Sequence, residues 1–298
     1  MNGNLTLQNL VETRPVNFLT GAMRVSLPLL ALVIVAAVFL WPARAADAPS
    51  DPAFEKPAEV RHVRLGPAGT KPVSYKEIRC SYFPGIMIKE WDEREIGDKQ
   101  ISYVMASGPT KPACQKAPLP GEHVLPTGDL AVYLLGYAGG AIFLSDADGA
   151  NDTIGFYVFD PKTGHQRFTD TIKLDSKFST IAADGDTLRL GYTRALVGPC
   201  SVVTDGADCW SKIAAAAGLS GDAPDCAAGY RDASQKFAED VCNNQRGDTK
   251  ACLAEQLSRR ADWDKAPSVI AFAANAVLVP SGSTISPAGG PVQCWPSD

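Results

Sequence analysis

The chain has 298 residues, with 28 lysines and arginines against 33 aspartates and glutamates, for a formal net charge of −5. An acidic balance with no basic cluster argues against nucleic acid and against anionic membrane surfaces as partners. A chain of this length can bury a proper core, and its eight cysteines are enough to staple one.

The first 45 residues read as a leader. Val25 to Leu40 form an apolar run, preceded by Met23 and Arg24 and followed by Ala43 and Ala45 at the two small positions before a cut. A basic start, an apolar stretch and small residues at the cut describe a secretory signal peptide. Cleavage after Ala45 is expected, with Met23 as an alternative initiator. The run is short for crossing a bilayer and contains Pro28, so no stable membrane insertion is expected after cleavage, an uncleaved anchor being the competing reading. Losing Glu12, Arg14, Arg24 and Arg44 leaves 25 basic against 32 acidic residues over 46–298, a formal net charge of −7.

Cys80, Cys114, Cys200, Cys209, Cys226, Cys242, Cys252 and Cys294 all follow the cut. An even number behind a signal peptide predicts four disulfides in an oxidising compartment, periplasmic or extracellular. Spacing suggests Cys200 with Cys209, Cys242 with Cys252, Cys80 with Cys114, and Cys226 with Cys294. No cysteine or histidine pair has zinc spacing.

Along the mature chain, 46–75 is rich in proline and reads as an extended or disordered lead-in. A single β-rich domain is expected over 76–298. Strands are predicted at 76–83, 86–92 and 99–106, and a long surface loop at 107–128, which holds five prolines. Short runs rich in β-branched and aromatic residues follow at 130–137, 140–144, 154–159, 167–172 and 187–192. Pro161 and Gly164 suit a hairpin turn, and Gly185 a second one, so this part reads as an antiparallel meander. Helices are predicted at 207–219, 226–243 and 249–263, with Asp225 and Asp248 as caps, before strands at 269–279 and 292–295. No repeat of 20 to 50 residues recurs, which excludes a propeller built from the single hairpin at 160–164. The fold class is α+β and mainly antiparallel β, sandwich-like or a partly open barrel, with a disulfide-linked helical segment at about 207–263.

Chemistry is thinly marked. Asp146, Asp148, Asn151 and Asp152 surround a glycine turn and are the candidate calcium ligands, although the twelve-residue EF-hand pattern is missing. Turn-forming residues in a solvated loop are the plainer reading. No nucleophile elbow, zinc-binding His-Glu-x-x-His or phosphate loop occurs. Of the three histidines, His62, His123 and His165, only His123 has a neighbour, Glu122, suited to orienting a base. Paired carboxylates for a secreted hydrolase are available at Glu90 with Asp92 or at Glu93 with Glu95. Tyr75, Tyr82, Phe83, Trp91 and Tyr103 line either a ligand-binding face or a sheet core. These observations point to an exported, non-enzymatic protein that binds a small ligand or a protein partner, with a carboxylate hydrolase as the alternative. No cofactor beyond calcium is suggested.

Overall fold

A strand with one polar face lies at a surface, and a strand that is apolar throughout lies between two layers. The computed structural model describes residues 53–67, 75–106, 108, 110–128, 130–147, 149–244 and 248–297, and there this alternation builds two antiparallel sheets. The predicted leader, its expected cut site and Asp148 lie outside the described residues. The five-stranded sheet is a meander of β1 (Glu59–Pro67), β2 (Tyr75–Phe83), β3 (Ile86–Asp92), β4 (Gln100–Met105) and β5 (Glu122–Val124). The nine-stranded sheet begins with β6 (Val132–Ala138), β7 (Ala141–Asp146), β8 (Thr153–Asp160), β9 (His165–Lys173), β10 (Thr180–Asp184) and β11 (Thr187–Val197). Four helices then intervene: α1 (Val202–Ala217), α2 (Cys226–Asn244), α3 (Thr249–Ser258) and α4 (Arg260–Trp263). The chain returns to the sheet as β12 (Ser268–Val279), β13 (Gly282–Pro287) and β14 (Gln293–Pro296). Strand order is β13-β12-β11-β9-β8-β7-β6, with β10 on β11 and β14 on β12, and the sheet does not close into a barrel.

The layers follow from the alternation. Ile86, Ile88, Ile101 and Tyr103 of the smaller sheet meet Ile142, Leu144 and Phe159 of the larger one. Ala141, Phe143, Phe156 and Val158 point the other way, into a core shared with Trp210 and Ile213 of α1. β7 is therefore buried on both faces, which explains its unbroken apolar run. The hairpins turn where expected, at Gly164 (φ 72°) and Gly185 (φ 59°). Asp248 caps α3 by accepting from the Lys250 and Ala251 N–H groups.

Four disulfides join Cys80 to Cys114, Cys200 to Cys209, Cys226 to Cys294 and Cys242 to Cys252, the same pairs that spacing suggests. The lead-in differs from expectation, because residues 59–67 form β1 rather than a disordered arm. Val63 and Leu65 pack against buried residues of the smaller sheet, and the backbone pairs with β2. Pro57 precedes the strand and Pro67 is its last residue, so neither stands in the middle of its ladder. Upstream, Phe54 makes edge contacts with Phe143 and Phe178. α1 begins five residues before the predicted 207, capped by Ser201, whose side chain accepts from the Val203 and Thr204 N–H groups. Gly206, at a non-helical φ of 55°, hides that first turn from a propensity reading. β5 inside the proline-rich loop and the exposed β13 carry too little apolar alternation to be predicted.

Candidate functional site

The outer face of the smaller sheet, turned away from the larger one, is crossed by the proline-rich loop. Cys114 is bonded to Cys80 on β2, the Tyr82 hydroxyl donates to the Pro112 carbonyl at 2.8 Å, and Leu119 packs on the same buried cluster as Ile78 and Val104. Between loop and sheet remains a pocket of about 510 Å³. Ile78, Trp91, Ala117 and Pro118 form its apolar walls, and Lys89, Gln100, Lys116 and Glu122 supply its polar groups.

Each polar group is placed by strand parity. Lys89 and Trp91 share the outer face of β3, and Glu122 reaches that face from β5. Lys89 Nζ lies 2.6 Å from Glu122 Oε1, and both side chains are only 4% exposed. The Ser102 hydroxyl donates to the same oxygen at 2.7 Å, and the Leu119 N–H to Oε2 at 2.8 Å. Burial alone would raise the Glu122 carboxyl, but these three donors outweigh it and hold the group below the ordinary carboxylate range.

Trp91 is ringed by cations: Lys99 Nζ lies 4.5 Å and Lys116 Nζ 4.6 Å from its ring centroid. Its indole N–H is buried and meets no acceptor among the described residues. Lys99 also bonds Glu93 at 2.9 Å, a carboxylate it shares with Lys76 at 3.2 Å. Lys116 forms no ion pair among the described residues.

The residues expected from sequence are dispersed. The Asp146 carboxylate accepts from the Tyr157 hydroxyl at 2.8 Å and lies over Gly155, where a Cβ would come 2.1 Å from Oδ2. Asn151 and Asp152, at φ 59° and 55°, are the two central residues of the turn into β8, closed by the Thr153 N–H on the Ala150 carbonyl at 2.9 Å. Asp148 lies outside the described residues. Cys200, Cys209 and Asp205 also sit close together, but the two sulfurs are bonded to each other.

Glu90 and Asp92 share the inner face of β3. Glu90 is 1% exposed and is gripped by both arms of Arg79, Nε donating to Oε2 at 2.7 Å and Nη2 to Oε1. Asp92 pairs with Arg94 at 3.2 Å, and Glu95 is exposed. Asp98 stands beside this cluster, where its N–H bridges to the Val132 carbonyl at 2.8 Å and its buried Oδ2 has no partner among the described residues. Desolvation, reinforced by the Glu90 charge and opposed by Arg79, pushes Asp98 up to about 7. His123 turns away from Glu122 and stacks on Tyr103, with ring centroids 5.3 Å apart. His62 lies 3.4 Å from Glu77, and His165 is exposed at the start of β9.

The aromatic set divides by the same parity. Phe83 and Tyr103 belong to the core between the sheets, whereas Tyr82 and Trp91 face the loop. Tyr75 lies at the exposed end of β2 beneath Arg64, 5.0 Å from its ring centroid. Of the pocket's polar residues, sequence reasoning missed Lys89, Gln100 and Lys116. The available signal was Lys89 itself, a cation between Met87 and Trp91 on one face of an otherwise apolar strand. No family model, no curated protein and no solved structure matches this chain.

Proposed function

We propose that this is an exported, disulfide-stabilised binding protein without catalytic activity, and that its ligand occupies the pocket between the smaller sheet and the Cys114 loop. The leader at 1–45 and the four disulfides support export to an oxidising compartment. The observation that carries the binding reading is the pocket itself, with apolar walls and a paired lysine and glutamate among its lining residues. Its volume lies in the range of small-molecule sites, and Trp91, whose buried indole N–H has no acceptor among the described residues, is one of its walls. A glycoside hydrolase of the paired-carboxylate kind needs two carboxyl groups converging on one cleft. This pocket holds one, Glu122, and it is committed to Lys89.

The test is a thermal-shift screen of the mature oxidised protein against small organic anions, sugars and short peptides. A compound that raises the Tm with concentration, and loses that effect when Ala117→Trp fills the pocket, supports the reading. A panel with no shift removes it. Glycan hydrolysis abolished by Glu90→Gln would put the hydrolase in its place. In the same assay calcium is expected to leave the Tm unmoved, because Asp146 is taken by Tyr157. A calcium-dependent rise lost in Asp146→Ala would instead place a cation in that loop.

A further inference from the structure

We infer that the pocket selects an amphipathic carboxylate, a small organic acid whose charged end meets Lys116 beside the Trp91 ring while its aliphatic body lies on Ile78, Ala117 and Pro118. This rests on the ligand-binding reading of the pocket and names the class of molecule it takes.

Charge decides first. Lys89 and Glu122 cancel each other, and Lys76 and Lys99 share the single charge of Glu93. Lys116 has no carboxylate partner among the described residues, so the rim around Trp91 carries a local positive surplus on a chain whose formal net charge is −5. An anion is drawn to that surplus, and a cation is repelled.

Hydrogen bonding decides next. The ammonium of Lys116 has donors and no acceptor. The Glu122 oxygens are already engaged by Lys89, Ser102 and Leu119. What the site lacks is an acceptor, which a carboxylate supplies twice over. Shape completes the argument. An inorganic ion would leave the walls of Ile78, Ala117 and Pro118 wet, whereas an alkyl chain against them releases that water.

The experiment is isothermal titration of the exported, oxidised protein with octanoate and with its neutral counterpart octanamide. Octanoate is expected to bind at least tenfold more tightly, and raising the salt concentration should narrow that gap. Lys116→Gln should erase the preference, and Lys177→Gln, at an exposed lysine outside the pocket, should change nothing. Equal affinities for the two compounds, or a preference that survives Lys116→Gln, overturn the carboxylate inference but leave the pocket reading in place. Failure of octanoate to bind also overturns it. Only if the wider screen is silent as well does the pocket reading fall with it.

Discussion

At the scale of single residues, the pocket is built around a buried ion pair, and such a pair costs more when broken than it contributes when whole. Lys89→Ala would strand the Glu122 carboxylate under the loop, and a loss of about 3–5 kcal/mol is expected from urea unfolding. Lys89→Met combined with Glu122→Leu should cost far less than the two single changes added together, because no charge is left alone. Asp98 makes its prediction through pH. Its carboxyl, raised to about 7 from the ordinary 3.8, keeps a proton in the folded chain that the unfolded chain has already released. Its contribution to stability is therefore complete below 3.8 and is lost as pH rises through about 7. Asp98→Asn should flatten that decline and gain about 1–2 kcal/mol at pH 8, read from urea midpoints at pH 5 and pH 8.

At the scale of elements, α2 comes close to β14 at Gly229. A Cβ on Gly229 would come 1.8 Å from the Cys294 carbonyl oxygen, which is backbone and does not swing aside. Helix propensity favours alanine over glycine by about 1 kcal/mol, but here the clash wins. Gly229→Ala should lower the unfolding free energy by about 1–3 kcal/mol, seen as a lower urea midpoint with an unchanged m-value. The same parity that fixes this packing also places the site. Within β3, Ile86, Ile88 and Glu90 face the larger sheet while Met87, Lys89 and Trp91 face the loop, so one strand serves both the core and the pocket.

At the scale of the molecule, the disulfides differ in what they constrain. Cys226–Cys294, with a sequence separation of 68, spans from α2 to the last strand, whereas Cys242–Cys252, with a separation of 10, joins only α2 to the next helix, α3. In the chain-entropy picture the longer loop is worth about 4 kcal/mol and the shorter about 3 kcal/mol. Replacing both cysteines of each pair by alanine should reproduce that order in denaturant unfolding. Double replacement of Cys80 and Cys114 should have a second effect, because this bond holds the loop over the sheet. Ligand affinity at the pocket should fall along with stability.

By itself the sequence determined the antiparallel, disulfide-linked class of fold and most strand positions, and it suggested cysteine partners that only the structure fixed. Those follow from local alternation, from glycine and proline at turns, and from spacing along the chain. It also named Trp91 and Glu122, but as members of other groupings. Only the tertiary structure decided that 59–67 is a strand, because its support comes from β2 and not from its own composition. Only the tertiary structure brought Lys89 to Glu122 and the Cys114 loop over Trp91. A hydrogen-bond donor is left without an acceptor only once its neighbours are known, and those neighbours come from β3, β5 and a loop brought together by folding.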